Sequence, residues 1–264
     1  MLRRSLVLLL VSCAIATSSS AIAPQTFTAN GTYLRPALDP PSFQIGSGGF
    51  VEELDAFVSI AGSDLNGAAY GTSARLSTDS VPAGLSLAFS STLSGDETDL
   101  LLRYDLTNEG ASPIAGLSFL SFLDVEIDEV RNTFFNEYGE SAGTPAAGQG
   151  WEIDEPGYVF GDVYDHLLSG ALDGSNALPA ASPDDVSLAL SIAPGMLAPG
   201  ATMRVELMIS EDGDALGGFA LRQRDSDPSS ATVVTYSGAA TLVPEPATVW
   251  LVAAGLALLA RRAR

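Results

Sequence analysis

The chain has no lysine, one histidine and one cysteine among its 264 residues. Each scarcity removes some chemistry. The cysteine, Cys13, sits in an N-terminal apolar run, so the rest of the chain offers no disulfide, no thiolate metal site and no cysteine nucleophile. The histidine, His166, gives zinc a single imidazole, with only carboxylates to complete a site. All 12 basic residues are arginines, and five of them lie at the two ends: Arg3, Arg4, Arg261, Arg262 and Arg264. Residues 22–243 therefore carry seven arginines against 31 acids, a net charge of −24. Nucleic-acid binders need a basic footprint for the phosphate backbone, and this body would repel one. Such acidity suits solubility, divalent cations or cationic partners.

What remains is ordinary globular material. Apolar residues make up 46%, with 26 glycines and 15 prolines. That is enough to build one fair-sized domain core and too apolar for a disordered chain. A secreted chain without disulfides must stabilise itself by core burial, with bound ions as a further source.

Both ends read as signals. Arg3 and Arg4 precede an apolar run over residues 6–16, and small residues follow up to Ala21-Ile22-Ala23. This is the three-part pattern of a secretory signal peptide, residues 1–23. Pro24 disfavours cleavage after Ala23, so cleavage after Ala21 is a rival. At the other end, residues 243–264 read VPEPATVWLVAAGLALLARRAR. The prolines around Glu245 hold an extended segment that a processing enzyme can bind as a strand. The uncharged run 247–260 would span about 21 Å as a helix, short of the roughly 30 Å hydrocarbon core. The arginines would stay on the cytoplasmic side. A marginal membrane helix with a basic stop suits a temporary halt during export.

The order Pro244-Glu245-Pro246, apolar helix, then Arg261, Arg262 and Arg264 resembles the PEP-CTERM sorting signal of Gram-negative bacteria. The resemblance covers about 22 residues. It implies transient membrane insertion, recognition by an exosortase, cleavage near the motif, and release or attachment at the cell surface. It also implies an association with exopolysaccharide and biofilm matrix. Signal peptidase is the partner expected at the N-terminus.

The body, residues 24–242, reads as strands and turns. Residues 98–108, TDLLLRYDLTN, alternate, with Leu100, Leu102, Tyr104 and Leu106 on one face and Arg103, Asp105 and Thr107 on the other. In PIAGLSFLSFLDVEID, Phe119, Ser121, Leu123, Val125 and Ile127 share one face. Leu120, Phe122, Asp124, Glu126 and Asp128 share the other. The first half of this strand reads as buried on both faces, and the second half as emerging with its acids outward. VSLALSI, ATMRVELMIS, GGFALRQRD, ATVVTYSGAATL and the stretches 50–60 and 84–92 supply further strands. Eight strand candidates without a convincing amphipathic helix predict an all-β antiparallel sandwich. Residues 134–183, rich in Gly, Ala, Pro and Asp, read as a long irregular insertion on that scaffold.

Candidate sites are few. His166 lies near Asp162 and Asp165, but no G-x-S-x-G nucleophile motif accompanies it. Asp124, Glu126 and Asp128 alternate at a strand end and could supply oxygens to calcium. Asp173-Gly174-Ser175-Asn176 and Glu211-Asp212-Gly213-Asp214 resemble fragments of calcium loops, without completing one. Trp151, Tyr158 and Tyr164 in the insertion could stack on sugar rings. The expectation is an exported, non-enzymatic surface or extracellular-matrix protein. A carbohydrate-binding module and a secreted hydrolase are the alternatives.

Overall fold

The computed structural model describes residues 27–29, 32–34, 43–60, 73–75, 84–128, 133–157 and 160–243. The signal peptide and the sorting tail expected from the sequence lie outside these. Among the described residues, no helix is long and apolar enough to cross a membrane.

The fold is all-β, with two six-stranded antiparallel sheets. Sheet I contains β3 (Phe43–Ile45), β4 (Gly49–Ile60), β5 (Ser73–Arg75), β8 (Ile114–Ile127), β10 (Gln149–Asp154) and β11 (Ser187–Leu197). Its order is β10-β11-β8-β4-β3, and β5 also pairs with β4. Sheet II contains β6 (Leu85–Leu93), β7 (Asp99–Asn108), β9 (Glu137–Gly143), β12 (Thr202–Ser210), β13 (Phe219–Asp225) and β14 (Val233–Val243), in the order β6-β7-β12-β14-β13-β9. The short strands β1 (Phe27–Ala29) and β2 (Thr32–Leu34) pair with each other. All eight strands expected from alternation are present.

One hydrophobic core lies between the sheets. Leu54, Phe119, Leu123 and Leu188 come from sheet I; Leu102, Tyr104, Val205 and Tyr236 come from sheet II. The rings of Phe89, Tyr104 and Phe119 step from one sheet to the other at centroid spacings of 5.0 and 4.9 Å. In β4, the inward residues Val51 and Leu54 are separated by two positions rather than one. A bulge absorbs the surplus: Val51 faces Val125, and Glu53 faces Asp124. The extra residue restores Leu54, Ala56 and Val58 to the inner face, where all three are buried.

The segment 134–183 is not an irregular insertion. It adds an edge strand to each sheet: β9 pairs with β13 in sheet II, and β10 pairs with β11 in sheet I. Alternation did not reveal them because β9, EYGESAG, has no apolar face, and β10, QGWEID, is short. The segment also forms a 3-10 turn over Phe134–Asn136 and an α-helix, α1 (Val163–Ser169), that no amphipathic pattern in the sequence announces. Gly170 ends it in the left-handed region, φ 73°, and the N–H groups of Gly170 and Ala171 close onto Leu167 and His166 carbonyls. At seven residues α1 is too short to hold itself, and it depends on packing. Val163 and Leu167 bury against Phe57, Leu120, Phe122 and Ala189 on the outer face of sheet I. Burying each of the two stabilises by about 1.5–3 kcal/mol.

This placement corrects the reading of β8. Its first residues are the open ones: Ala115 and Gly116 are exposed, whereas every residue of 119–127 is buried. Asp124 and Glu126 do not emerge into solvent; they are 4% and 8% exposed.

Candidate functional site

The outer faces of the two sheets differ in charge. On sheet II, ladder register sets opposite charges across from each other. Arg204 lies opposite Asp105, and Arg103 opposite Glu206. The Arg204 guanidinium donates to both Asp105 oxygens at 2.7 and 2.9 Å, and Arg103 donates to Glu206 at 2.9 and 2.6 Å. Arg224 reaches Glu140 on β9 at 3.0 Å. The four arginines whose side chains are described, at 103, 204, 222 and 224, all belong to sheet II.

Sheet I carries acids instead. Register places Glu53, Asp124, Ser187 and Asp154 in one row across β4, β8, β11 and β10. The adjacent row is Asp55, Phe122, Ala189 and Glu152. Loops bring more acids to this face. The segment before β11 is held by paired backbone bonds between Glu137 and Asp184, which sets Asp185 beside the sheet. Oxygens of Asp124, Glu126 and Asp185 lie within 4.8 Å of one another. Burial raises the Asp124 carboxyl well above its usual range, reinforced by the charges of Asp185, Glu126 and Glu53, while the nearby Ser187 hydroxyl acts the other way. Burial, then Glu155 and Asp184, raises Asp185 to about 6.

A second group gathers where α1 meets β10. His166 Nδ1 lies 2.8 Å from Glu152 Oε1 and 3.5 Å from an Asp162 oxygen. Glu152 Oε2 accepts from the Asp173 N–H at 3.0 Å. Burial raises the Glu152 carboxyl, against the pull of the Asp173 N–H and His166. The hydrogen bond to Glu152 raises His166 against the opposing effect of its own burial. Burial and the neighbouring Asp162 raise Asp154. Among the described residues, the partners of the His166 ring are carboxylates and no hydroxyl, so the set lacks the nucleophile contact of an acyl-transfer triad. It can share protons, or present oxygens to a hard cation.

The expected calcium ligands are only partly brought together. Asp124 and Glu126 meet, but Asp128 turns away at φ 56°, and its carboxylate accepts from Ser230 and Thr232 at 2.5 and 3.3 Å. Asp185, 61 residues from Asp124, takes the place expected of Asp128. No local signal in the sequence reveals it, since the contact depends on β8 pairing with β11. Of the two loop fragments, the first runs alongside β10, where the Gly174 N–H donates to the Trp151 carbonyl and the Ile153 N–H to the Ser175 carbonyl. Asp173 accepts from the Ser175 N–H and hydroxyl at 2.8 and 2.9 Å. Glu211 accepts from the Ser47 and Gly48 N–H groups at 2.5 and 2.9 Å, fastening the β3–β4 turn. Asp99, Asp212 and Asp214 form a further, more open acid group.

Trp151 points into the sandwich edge. Its ring packs against the core and lies 5.7 Å from the Phe219 ring, tilted by 53°. Tyr164 falls on α1, and Tyr158 lies outside the described residues. The sorting residues Pro244, Glu245, Pro246, Arg261, Arg262 and Arg264 are also outside; β14 ends at Val243, next to them.

No family model matches the chain, and no curated protein matches it significantly.

Proposed function

We propose that this chain is an exported, non-enzymatic protein of the cell surface or extracellular matrix, sorted by an exosortase. The observation that carries the reading is the tail: Pro244-Glu245-Pro246, an uncharged run over 247–260, then three arginines. A signal-peptide pattern at the opposite end accompanies it. A disulfide-free, strongly acidic all-β body is compatible with life outside the cell. The hydrolase alternative loses support because His166 contacts carboxylates only, among the described residues. The carbohydrate-binding alternative loses support because Trp151 spends its ring on the core edge.

The test is intact-mass analysis of the extracellular protein from cells with and without their exosortase. The expected product starts just after Ala21 or Ala23 and has lost Arg261, Arg262 and Arg264. An extracellular protein that keeps those arginines, or one whose C-terminus is the same without the exosortase, overturns the reading.

A further inference from the structure

We propose that Asp124, Glu126, Asp185 and Ser187 form a calcium site on the outer face of sheet I. The site is independent of how the chain is exported.

Three carboxylates offer oxygens within 4.8 Å of one another. Proximity of acids alone is no site, but two buried atoms here are unusual. Asp124 is 4% exposed, and its Oδ1 has no hydrogen-bond partner. Ser187, directly across the β8–β11 ladder from Asp124, is fully buried, and its Oγ lies close enough to the Asp124 carboxyl to favour its charge but makes no well-formed hydrogen bond. Burying a polar atom without a partner costs free energy, and a buried anion costs far more. A cation at this point would satisfy both atoms. The arginines whose side chains are described are all on the other sheet, three of them tied to acids of sheet II.

The donors identify the ion. All are oxygens, three are anionic, and neither sulfur nor imidazole is present, which selects a hard cation over zinc or copper. Donors from two strands and a loop form an irregular set with room for backbone or water oxygens. Calcium accepts six to eight ligands in flexible geometry, whereas magnesium demands a near-ideal octahedron and keeps its waters. Three carboxylates leave the loaded site with one residual negative charge.

The site also joins elements distant in sequence. Asp124 and Glu126 belong to β8, whereas Asp185 and Ser187 flank the start of β11. An ion bound there would tie the entry to β11 to the centre of sheet I and stabilise the folded state by mass action.

The experiment is calorimetric titration of the full chain with calcium or magnesium chloride after EDTA treatment, with parallel thermal melts in matched sodium chloride. One calcium should bind, raising the melting temperature by several degrees. Magnesium should do less, and sodium chloride should not reproduce the shift. Asp124→Asn and Asp185→Asn should each weaken calcium binding by about tenfold or more. Asp185 sits in a loop, so Asp185→Asn keeps the test decisive if Asp124→Asn fails to fold. Asp212→Asn with Asp214→Asn should leave binding unchanged. The proposal is overturned if no calcium binds, if magnesium matches calcium, if Asp185→Asn binds as the unaltered chain does, or if only the 212/214 double variant loses binding.

Discussion

The Tyr236 hydroxyl donates a 2.6 Å hydrogen bond to Ser121 Oγ through the middle of the sandwich, and the Ser121 hydroxyl donates in turn to the Asp55 backbone carbonyl at 2.8 Å. Tyr236 is on sheet II; Ser121 and Asp55 are on sheet I. The relay explains a serine on the inward face of β8, among Phe119, Leu123 and Val125. It also gives the sheets a directional contact that apolar packing does not supply, so it fixes their relative position.

Removing parts of this relay should have unequal costs. Tyr236→Phe deletes one buried hydrogen bond and leaves Ser121 bonded to Asp55, a loss of about 1 kcal/mol. Ser121→Ala strands the Tyr236 hydroxyl without a partner in the core and should cost about 2 kcal/mol. The double variant should lose less than the two singles together. Urea unfolding midpoints measure all three. Strict additivity would show that the two hydroxyls do not interact.

His166 should titrate above its ordinary 6.5, because its Nδ1 is hydrogen-bonded to Glu152 and faces the charges of Asp162 and Asp173. It is the only histidine in the chain, so its ring protons are identified in an NMR titration without assignment work. Glu152→Gln should lower the value. The pair's contribution to stability is complete below the unfolded-state pKa and fades as pH rises through the folded one. A ring that titrates at or below 6.5 in the unaltered chain would show that the Glu152 contact is not made in solution.

Stability without divalent ions should fall as pH rises. Burial raises Asp124 and Glu137 well above the usual range, and Asp185 to about 6. A carboxyl raised in the folded state holds protons that the unfolded chain has lost, so the folded form is favoured at acid pH. The benefit is complete below the unfolded-state value of 3.8 for an aspartate and fades through the folded value, about 6 for Asp185 and higher for Asp124. In EDTA, the urea midpoint at about pH 5 should therefore exceed that at about pH 7.5. A midpoint that climbs between those values would mean these groups are ionised and well solvated in the folded protein.

The sequence by itself determined the class and the main strands. Two-residue alternation is a local property, so TDLLLRYDLTN and ATMRVELMIS announce their strands and name their inward faces without reference to anything else. The same local reasoning picked Asp124 and Glu126 as neighbours on one face of β8. Only the tertiary structure decided what that face meets. Asp124 reads as a solvent-facing acid until Asp185 and the row across β4, β11 and β10 close around it. Trp151 reads as a free aromatic until β10 pairs with β11 and turns the ring against Phe219. Arg103 and Arg204 read as plain surface charges until β7 and β12 pair and set each opposite an acid. Strand register is chosen by the burial of whole faces, and no window of sequence contains both sides of that choice.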